Sequence, residues 1–214
     1  NVGFGPASNQ GIRASSGRYI LLLNPDTIVL HRAIERMVAF MESQTGIGAC
    51  GCRLVYPDGR FQPSAFPFPS LLSAVHKYSG LFERVPFLAR LLTPDWHDAE
   101  PGQTRQVGWC SGACLAVSRA CIEEIGLLDE SFFLYAEEVD WCQRMWRANW
   151  PVYYLPEATV VHYLGGSQKN VGEVKRSIRE LRGDLHYLRK WHGSGYARLY
   201  QGIVSMCGLY RYSK

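Results

Sequence analysis

Hydrophobic and polar positions follow one another in segments that predict strands separated by helices. The continuous apolar run 19–23 is typical of a strand covered on both faces, as in a parallel sheet. Residues 31–43 predict an amphipathic helix, because apolar side chains recur at i, i+3, i+4 and i+7: Ile34, Met37, Val38 and Met41. Segments of both kinds alternate along most of the chain, which predicts an α/β domain.

The remaining elements follow from the same patterns. Further strands are predicted at 47–56, from Phe61, at 106–118, at 152–156 and at 158–163. Further helices are predicted at 7–17 with Gly17 closing the last turn, at 70–82, 119–126 and 137–149, and at 172–192. Residues 63–106 are irregular and rich in proline, and a long segment of this kind is more often a functional loop than a simple connection.

Composition fits one globular domain of 214 residues, with 47% hydrophobic and 13% aromatic positions. The net charge of +4 is small, and basic residues concentrate after Lys169. This asymmetry is explained either by contact with an anionic surface, such as lipid headgroups, or by a solvated helix face. We expect no nucleic-acid partner.

The cysteine pattern leads to an expectation about the cellular compartment, and the first residue leads to an expectation about truncation. Seven cysteines are present, and the spacings of Cys50 with Cys52 and of Cys110 with Cys114 fit neither a zinc ribbon nor a redox motif. We interpret them as reduced, buried side chains of a cytoplasmic protein. No signal peptide and no run of about 20 apolar residues is present. The start at Asn1, without methionine, leads us to expect an N-terminally truncated chain.

The first candidate site follows strand 19–23, where the chain continues as Asn24-Pro25-Asp26-Thr27. Ligand sites of open α/β sheets lie outside the carboxyl ends of strands, and Pro25 both ends the strand and stiffens the turn. Asp26 would then present a carboxylate at the sheet edge, with the amide of Asn24 nearby, and divalent cations such as Mg²⁺ favour such oxygen donors. Taken alone, the segment is explained better by a turn in which Asp26 or Thr27 caps a helix.

The second candidate site is acidic. Glu137, Glu138 and Asp140 lie within four positions, directly after three aromatic residues: Phe132, Phe133 and Tyr135. Carboxylates in apolar surroundings are costly unless a cation pairs with them or their pKa is raised, and a raised pKa suits a general base. The alternative is an acidic first helical turn that the helix dipole favours. Arg144 is spaced to pair with Asp140 on the helix.

The third candidate is His162, which ends an apolar strand and precedes Gly165-Gly166-Ser167. A single histidine is usually structural. Here the glycines would let backbone N–H groups approach an anion, and a neutral imidazole could complete a metal site or hydrogen-bond a diphosphate.

The ordered set of motifs resembles a known family. The segments are NVGFGPASNQGIRASSGRYILLLNPDT, followed by GWCSGACLAVSRACIEEIGLLDESFFLYAEEVDWCQRMWRANWPVYYLPEATVVHYLGGS. They resemble inverting glycosyltransferases of family 2, in particular the bacterial rhamnosyltransferase-like branch. The resemblance implies a GT-A fold, which is a Rossmann-like three-layer α/β sandwich with a mixed, mostly parallel sheet. It also implies a nucleotide-diphosphate sugar donor and Mg²⁺ or Mn²⁺.

The resemblance also implies roles for residues. Asn24 and Asp26 match the metal-binding D-x-D position, and Glu138, or its neighbour Glu137, matches the catalytic base. His162 matches a position that binds metal or diphosphate. Further site residues are expected on the catalytic, donor and acceptor sides: Asp140, Arg144, Trp109, Ser111 and Gly112.

Family members begin with a strand–helix–strand unit that holds the nucleotide, and no such unit precedes Asn1. We therefore expect a partial catalytic domain at 1–168, a helical extension at 169–214, and weak donor binding. The expected reaction is transfer of a sugar, with rhamnose from dTDP-rhamnose as first guess, to a cell-envelope polysaccharide or glycolipid. The chain would act in the cytoplasm, with peripheral contact to the inner face of the plasma membrane through residues 196–214. The alternatives are a non-catalytic fragment that binds a glycan or a partner, and a nucleotidyltransferase of similar fold.

Overall fold

The computed structural model describes residues 2–79, 102–163 and 173–212, together with Val85 and Phe87. Its nine strands in this part of the chain are β1 (Tyr19–Leu23), β2 (Thr27–Val29), β3 (Ala49–Val55), β4 (Phe61–Gln62), β5 (Ala65–Phe66), β6 (Arg105–Gln106), β7 (Trp109–Cys110), β8 (Cys114–Ser118) and β9 (Val152–His162). Its helices are α1 (Phe4–Ala14), α2 (Ala33–Ser43), α3 (Leu71–Ser79), α4 (Arg119–Ile125), α5 (Glu137–Arg147) and α6 (Glu173–Tyr212).

The central sheet has the strand order β1-β8-β3-β9-β2, with β4 added to β3 and β6 added to β9. The sheet is mixed, as predicted, but the expectation of mostly parallel pairing is wrong. Among the described strands only β3 and β9 pair in parallel, because β8 runs antiparallel to both β1 and β3. The strands β1, β3 and β9 nevertheless end at one edge of the sheet, which is also where β8 begins.

Several element boundaries differ from the prediction: the segment 106–118 is divided into β7 and β8, α6 continues to Tyr212 instead of ending at 192, and β2 was not predicted. The predicted strands 152–156 and 158–163 form a single strand, β9, whose register with β3 shifts between Cys52 and Arg53 and so accommodates Pro156. Helix α1 already ends at Ala14, and Ser15 caps it through its backbone N–H to Ile12, so Gly17 does not close the helix. Gly126, in contrast, ends α4 at a φ of 84°, as expected for a glycine after a helix.

Helices cover both faces of the sheet. On one face, α2 buries Ala33, Met37 and Met41 against the sheet, so its apolar side differs from the predicted one, and Ile34 is exposed. On the other face lie α1, α4 and α5, which share a core with the central strands: Ile12, Ile20, Leu22, Leu115, Val117, Cys121, Ile122, Trp141 and Met145. This arrangement is the predicted three-layer sandwich.

The cysteines are free, and six of the seven are buried. Burial raises the pKa of the Cys121 and Cys142 thiols to about 12, so these side chains stay protonated at neutral pH. They therefore act as small core residues, as predicted.

Helix α6 packs beside α3 and closes a third core group that includes Ala74, Phe132, Val139, Leu188 and Tyr200. The helix is interrupted at Gly193, whose φ of 86° is not helical. No helix in the described part of the chain combines the length and the hydrophobicity that crossing a bilayer requires. The predicted division of the chain at residue 168 falls in 164–172, which lie outside the described residues, and stays a prediction.

Candidate active site

The turn after β1 brings Asn24 and Asp26 to His162, although the histidine lies far away in the sequence. Strand β2 starts directly after Asp26 and pairs antiparallel with β9, with Thr27 opposite His162. His162 Nε2 lies 3.4 Å from Asp26 Oδ1 and 3.3 Å from Asn24 Nδ2. The turn is held by Thr27 Oγ1, which donates to the carbonyl oxygen of Asn24 at 2.7 Å, and by Tyr163 N–H, which donates to that of Asp26 at 3.0 Å.

The imidazole of His162 has properties that suit a ligand. Burial lowers its pKa and outweighs the opposite effect of the nearby Asp26 carboxylate, so the ring is neutral at pH 7. Its Nδ1 atom is buried and has no hydrogen-bond partner among the described residues. The nitrogen that faces Asp26 is Nε2, so Nε2 is the atom that could share a cation with this carboxylate.

These donors fit a divalent cation that takes few protein ligands. Asp26 supplies carboxylate oxygens, and His162 supplies a neutral nitrogen. Both side chains are largely buried, since 15% of Asp26 and 8% of His162 are exposed. Within the described residues no three His, Cys, Asp or Glu side chains converge as a complete metal site. Mg²⁺ commonly takes one or two carboxylates and completes its coordination shell with water and substrate phosphates. The residues present are therefore compatible with a metal held jointly with a substrate.

The acidic pair lies at the start of α5, where Glu137 and Glu138 are the first two helical residues. The chain enters this helix through Tyr135 and Ala136, both with a φ of 71°, a conformation that residues other than glycine rarely adopt. Glu137 is 4% exposed. Burial, together with the neighbouring Glu138 charge, raises the pKa of Glu137 to about 8.

Burial likewise raises the pKa of Glu138, and the charge of Asp184 on α6 adds to this effect, while a backbone hydrogen bond from Gly112 acts against it. One oxygen of each glutamate, Oε2, is buried and has no hydrogen-bond partner within the part of the chain that the structure describes. Two adjacent carboxyl groups with raised pKa values retain at least one proton between them at neutral pH. An acid–base pair of this kind is typical of active sites.

The acidic pair and the Asp26 turn lie at the same edge of the sheet. The backbone N–H of Asn24 donates to the carbonyl oxygen of Ala113 at 2.9 Å. The preceding residue, Gly112, lies against Glu138, since a Cβ atom built on Gly112 would be 3.9 Å from Glu138 Oε1. A single backbone segment, 111–113, therefore joins the two groups of polar side chains.

The predicted acceptor-side residues lie along the same segment. The ring of Trp109 stacks on Phe66 with centroids 4.6 Å apart, and its Nε1 donates to the carbonyl oxygen of Pro67 at 2.9 Å. Ser111 N–H donates to the carbonyl oxygen of Ser64 at 2.8 Å. The strand pair β5–β7 thus fixes the approach to Gly112, while the role of Trp109, Ser111 and Gly112 toward an acceptor stays a prediction.

Asp140 and Arg144 form an internal ion pair. Asp140 is fully buried, and its oxygens accept from Arg144 Nε at 3.0 Å and Trp191 Nε1 at 2.8 Å. The guanidinium of Arg144 also donates to the carbonyl oxygens of Ile125 and Leu127. The predicted pairing of the two residues is confirmed, while a role of Asp140 in catalysis and of Arg144 in donor binding stays a prediction.

Comparison with known proteins identifies the family of this chain. The family model described as "Glycosyl transferase family 2" matches residues 1–98. A Mycobacterium tuberculosis protein named N-acetylglucosaminyl-diphospho-decaprenol L-rhamnosyltransferase is 32% identical over 181 residues, which is 76% of this chain. The chain belongs to glycosyltransferase family 2.

Other relatives support membership of the rhamnosyltransferase-like branch of family 2. Rhamnosyltransferase WbbL of Escherichia coli is 24% identical over 170 residues, which is 75% of this chain. The chain spans 56% of the length of the mycobacterial relative and 61% of that of WbbL.

Solved structures show that this family-2 chain has the GT-A fold. A mannosyltransferase of Pyrobaculum calidifontis, solved with GDP-Man and Mn²⁺, aligns with a TM-score of 0.57 at 12% identity, over 97% of this chain and 53% of its own. GalNAc-T7, solved with UDP, GalNAc and Mn²⁺, aligns with a TM-score of 0.56 at 15% identity, over 88% of this chain and 35% of its own. At these identities the likeness concerns the fold.

Two residues at the site of this family-2 chain, Phe4 and Asp184, could not be predicted from local sequence patterns. Phe4 lies beside Gly112, with its ring 3.5 Å from a Cβ atom built there, and Asp184 carries its charge to Glu138 from α6. Neither belongs to a local motif, because both reach the site only through packing of distant helices. The glycines at 165 and 166, which were expected near His162, lie outside the described residues.

Proposed function

We propose that this chain is the catalytic part of an inverting glycosyltransferase that transfers a sugar from a nucleotide-diphosphate donor to a hydroxyl group. One observation carries the proposal. The Asp26–His162 pair, which suits a metal and a diphosphate, and the Glu137–Glu138 pair, which suits proton abstraction, are joined through the Asn24–Ala113 hydrogen bond. A transferase needs both groups on either side of one reacting carbon.

Asp26 and His162 would hold Mg²⁺ or Mn²⁺ together with the donor phosphates. When bound, such a cation stabilises the negative charge that develops on the leaving diphosphate. Asn24 would orient the imidazole of His162, since the side-chain nitrogen of Asn24 lies 3.3 Å from His162 Nε2. Pro25 keeps the turn rigid, so that Asp26 faces the edge where the donor would lie.

Glu138 would take the proton from the acceptor hydroxyl as its oxygen attacks the anomeric carbon. Attack from the side opposite the diphosphate in one displacement inverts the configuration. The Gly112 N–H hydrogen bond stabilises the carboxylate form of Glu138, while Glu137, with a pKa of about 8, keeps the shared proton at pH 7. We therefore assign Glu138 as the base and Glu137 as the neighbour that stays protonated beside it.

The names of two relatives support rhamnose as the transferred sugar and a lipid-linked or polysaccharide acceptor. Incubation of the protein with dTDP-rhamnose, Mn²⁺ and an N-acetylglucosaminyl-diphospho-polyprenol acceptor tests the reaction, and acceptor-dependent release of dTDP supports a glycosyltransferase. A parallel incubation with dTTP and rhamnose 1-phosphate tests the nucleotidyltransferase alternative, which would release pyrophosphate. If neither product forms with any nucleotide sugar, while a glycan binds, the non-catalytic alternative is correct.

Contact with the inner face of the plasma membrane is supported by exposed basic residues of α6 rather than by the C-terminal residues 196–214. Ala197 and Tyr200 within 196–214 are buried in the core, so part of this segment faces the protein. Three exposed basic residues instead share one helix face through spacings of four and three: Lys175, Arg179 and Arg182. Exposed Val174 and Ile178 border this basic face. A basic face with an apolar border suits anionic lipid.

A further inference from the structure

Helix α6 contacts the segment that leads into the acidic pair at three successive helical turns. The contacting residues are Gly183, His186 and Lys190, at i, i+3 and i+7, so they share one side of the helix. We refer to these three residues as the packed face of α6. Each contacts a different part of residues 129–136, which connect α4 to α5.

The first contact is between Gly183 and the strained turn. A Cβ atom at position 183 would lie 2.6 Å from the carbonyl oxygen of Tyr135 and 3.0 Å from its carbonyl carbon. Only glycine allows α6 to approach this backbone so closely. The turn itself, with Tyr135 and Ala136 both at a φ of 71°, is costly and persists only where its surroundings hold it.

The second contact is between His186 and the middle of the segment. The ring of His186 lies edge-to-face on Phe132, with centroids 4.4 Å apart. His186 Nε2 is also 3.0 Å from Ser131 Oγ. This contact fixes Phe132, which is 2% exposed and belongs to the core group beside Val139 of α5.

The third contact is between Lys190 and two carboxylates. Its Nζ lies 2.7 Å from Asp129 Oδ2, at the beginning of the segment, and 2.7 Å from Asp140 Oδ1, on α5. Next to it, Trp191 Nε1 donates to the same Asp140 oxygen at 2.8 Å, and Tyr187 OH donates to Gln143 Oε1 at 2.6 Å. Lys190 therefore ties both ends of the segment to α6.

We propose that the packed face of α6 positions Glu137 and Glu138 for proton transfer by holding the left-handed turn at Tyr135 and Ala136 closed. Gly183, His186 and Lys190 are positioning residues, since they act on the acidic pair through the segment 129–136. The proposal rests on the function given above for that pair, and it adds a catalytic requirement for the helix that follows the catalytic domain.

Charged groups from each neighbouring element shape the titration of the pair. Glu137 and Glu138 face each other on α5, Cys142 lies near Glu138 on the same helix, and Asp184 faces Glu138 from α6. Asp184 directly follows Gly183, so a displacement of α6 moves this charge and admits water to the pair. The pKa of Glu137 would then fall from about 8 towards that of an ordinary glutamate.

The substitution Gly183→Ala tests the contact, and Gly202→Ala is its matched control. Both glycines lie in α6, and alanine favours a helix at both positions, but nothing lies within 4 Å of a Cβ atom at position 202. We expect Gly183→Ala to speed amide hydrogen exchange in residues 129–138 at least about tenfold. We also expect the Glu137 carboxyl resonance to titrate at least about one pH unit lower. The control should leave both measurements unchanged.

A second pair of variants covers the case in which Gly183→Ala does not fold. Lys190→Met removes the bridge between Asp129 and Asp140, while Lys190→Arg keeps a cation there. We expect faster exchange in residues 129–138 for Lys190→Met and partial restoration for Lys190→Arg. Unchanged exchange and unchanged Glu137 titration in the folded position-183 and position-190 variants would overturn the proposal.

Measurements of turnover separate this inference from the proposed function. With dTDP-rhamnose as the probe, Gly183→Ala should lower kcat for dTDP release at least about tenfold with little change in KM, because the substitution acts on the acidic pair and leaves the proposed donor-binding residues Asp26 and His162 in place. If Glu138→Gln leaves turnover unchanged, the proposed function is wrong. If Glu138→Gln abolishes turnover while Gly183→Ala and Lys190→Met match wild type in kcat and pH profile, the positioning role is wrong.

Discussion

The backbone N–H of Asn24 hydrogen-bonds the carbonyl oxygen of Ala113 at 2.9 Å. This bond continues the antiparallel pairing of β1 with β8 by one residue beyond Leu23. It links the turn that presents Asp26 to the segment that lies against Glu138. The spacing between the two halves of the site is therefore set by backbone register, which side-chain substitutions change little.

Substitution of Asp26 tests the metal role. We expect Asp26→Asn to weaken binding of Mn²⁺ at least about tenfold, since loss of an anionic ligand removes most of the attraction for a hard cation. Isothermal titration with Mn²⁺ alone and with Mn²⁺ plus dTDP measures the change. Asp58→Asn is the control, because Asp58 is an exposed carboxylate paired with Arg60. Equal Mn²⁺ affinities of the two variants would contradict the assignment.

Substitution of the acidic pair separates the two glutamates. Glu138→Gln should reduce dTDP release from dTDP-rhamnose about 10²–10⁴-fold, because the general base is lost. Glu137→Gln should have a smaller effect and shift the pH profile, since glutamine cannot release the proton that Glu137 loses near pH 8. Glu123→Gln, on the exposed side of α4, should resemble wild type. A larger loss for Glu137→Gln than for Glu138→Gln would exchange their roles.

The raised pKa of Glu137 predicts how stability depends on pH. The pKa is about 8 in the folded chain and near the ordinary value of 4.5 in the unfolded chain. Between these values the unfolded state releases a proton that the folded state keeps, so the free energy of unfolding falls as pH rises from about 4.5 to about 8. Glu137→Gln should remove this dependence.

Urea unfolding at several pH values measures the effect. At pH 9 we expect Glu137→Gln to be more stable than wild type by roughly 5 kcal/mol relative to their difference at pH 4. Glu138 and Asp184 contribute a dependence of the same sign that remains in the variant, since the pKa of each is also raised. Parallel stability curves for the two proteins would show that Glu137 titrates normally.

Substitution of Arg144 distinguishes structure from donor binding. Arg144→Met leaves Asp140 without one partner and two carbonyl oxygens without theirs, so we expect a loss of about 3–5 kcal/mol in the free energy of unfolding. Arg13→Met, which breaks an exposed pair with Glu130, should cost about 1 kcal/mol or less. Unchanged stability with a raised KM for the donor would support the predicted binding role of Arg144.

Charge reversal tests the basic face of α6. The triple variant Lys175→Glu, Arg179→Glu and Arg182→Glu should lose most binding to vesicles of phosphatidylglycerol, because each basic residue near an anionic surface contributes about 1 kcal/mol. Neither protein should bind phosphatidylcholine vesicles, and 0.5 M salt should release the wild type. Vesicle cosedimentation measures this. Equal binding of wild type and variant to anionic vesicles would exclude this face as the contact.

Much of the site could be predicted from local sequence. The apolar run 19–23 followed by Pro25 identified a strand that delivers Asp26 to a sheet edge, and helical spacing located α5 with its acidic start. The strand direction could not be predicted this way. A buried strand is apolar on both faces in either orientation, so the pattern did not distinguish β8 antiparallel to its neighbours from a parallel arrangement.

The sequence by itself determined which residue types were available: a carboxylate after a rigid turn, two adjacent glutamates, and a histidine at a strand end. Tertiary structure decided which of them act together. Pairing of β2 with β9 brought His162 to Asp26, and burial under α6 raised the pKa of the glutamates while it enclosed Asp140 in an ion pair. Carboxylates with similar sequence contexts differ in chemistry because burial and neighbouring charges set their pKa values, and those depend on packing between distant segments.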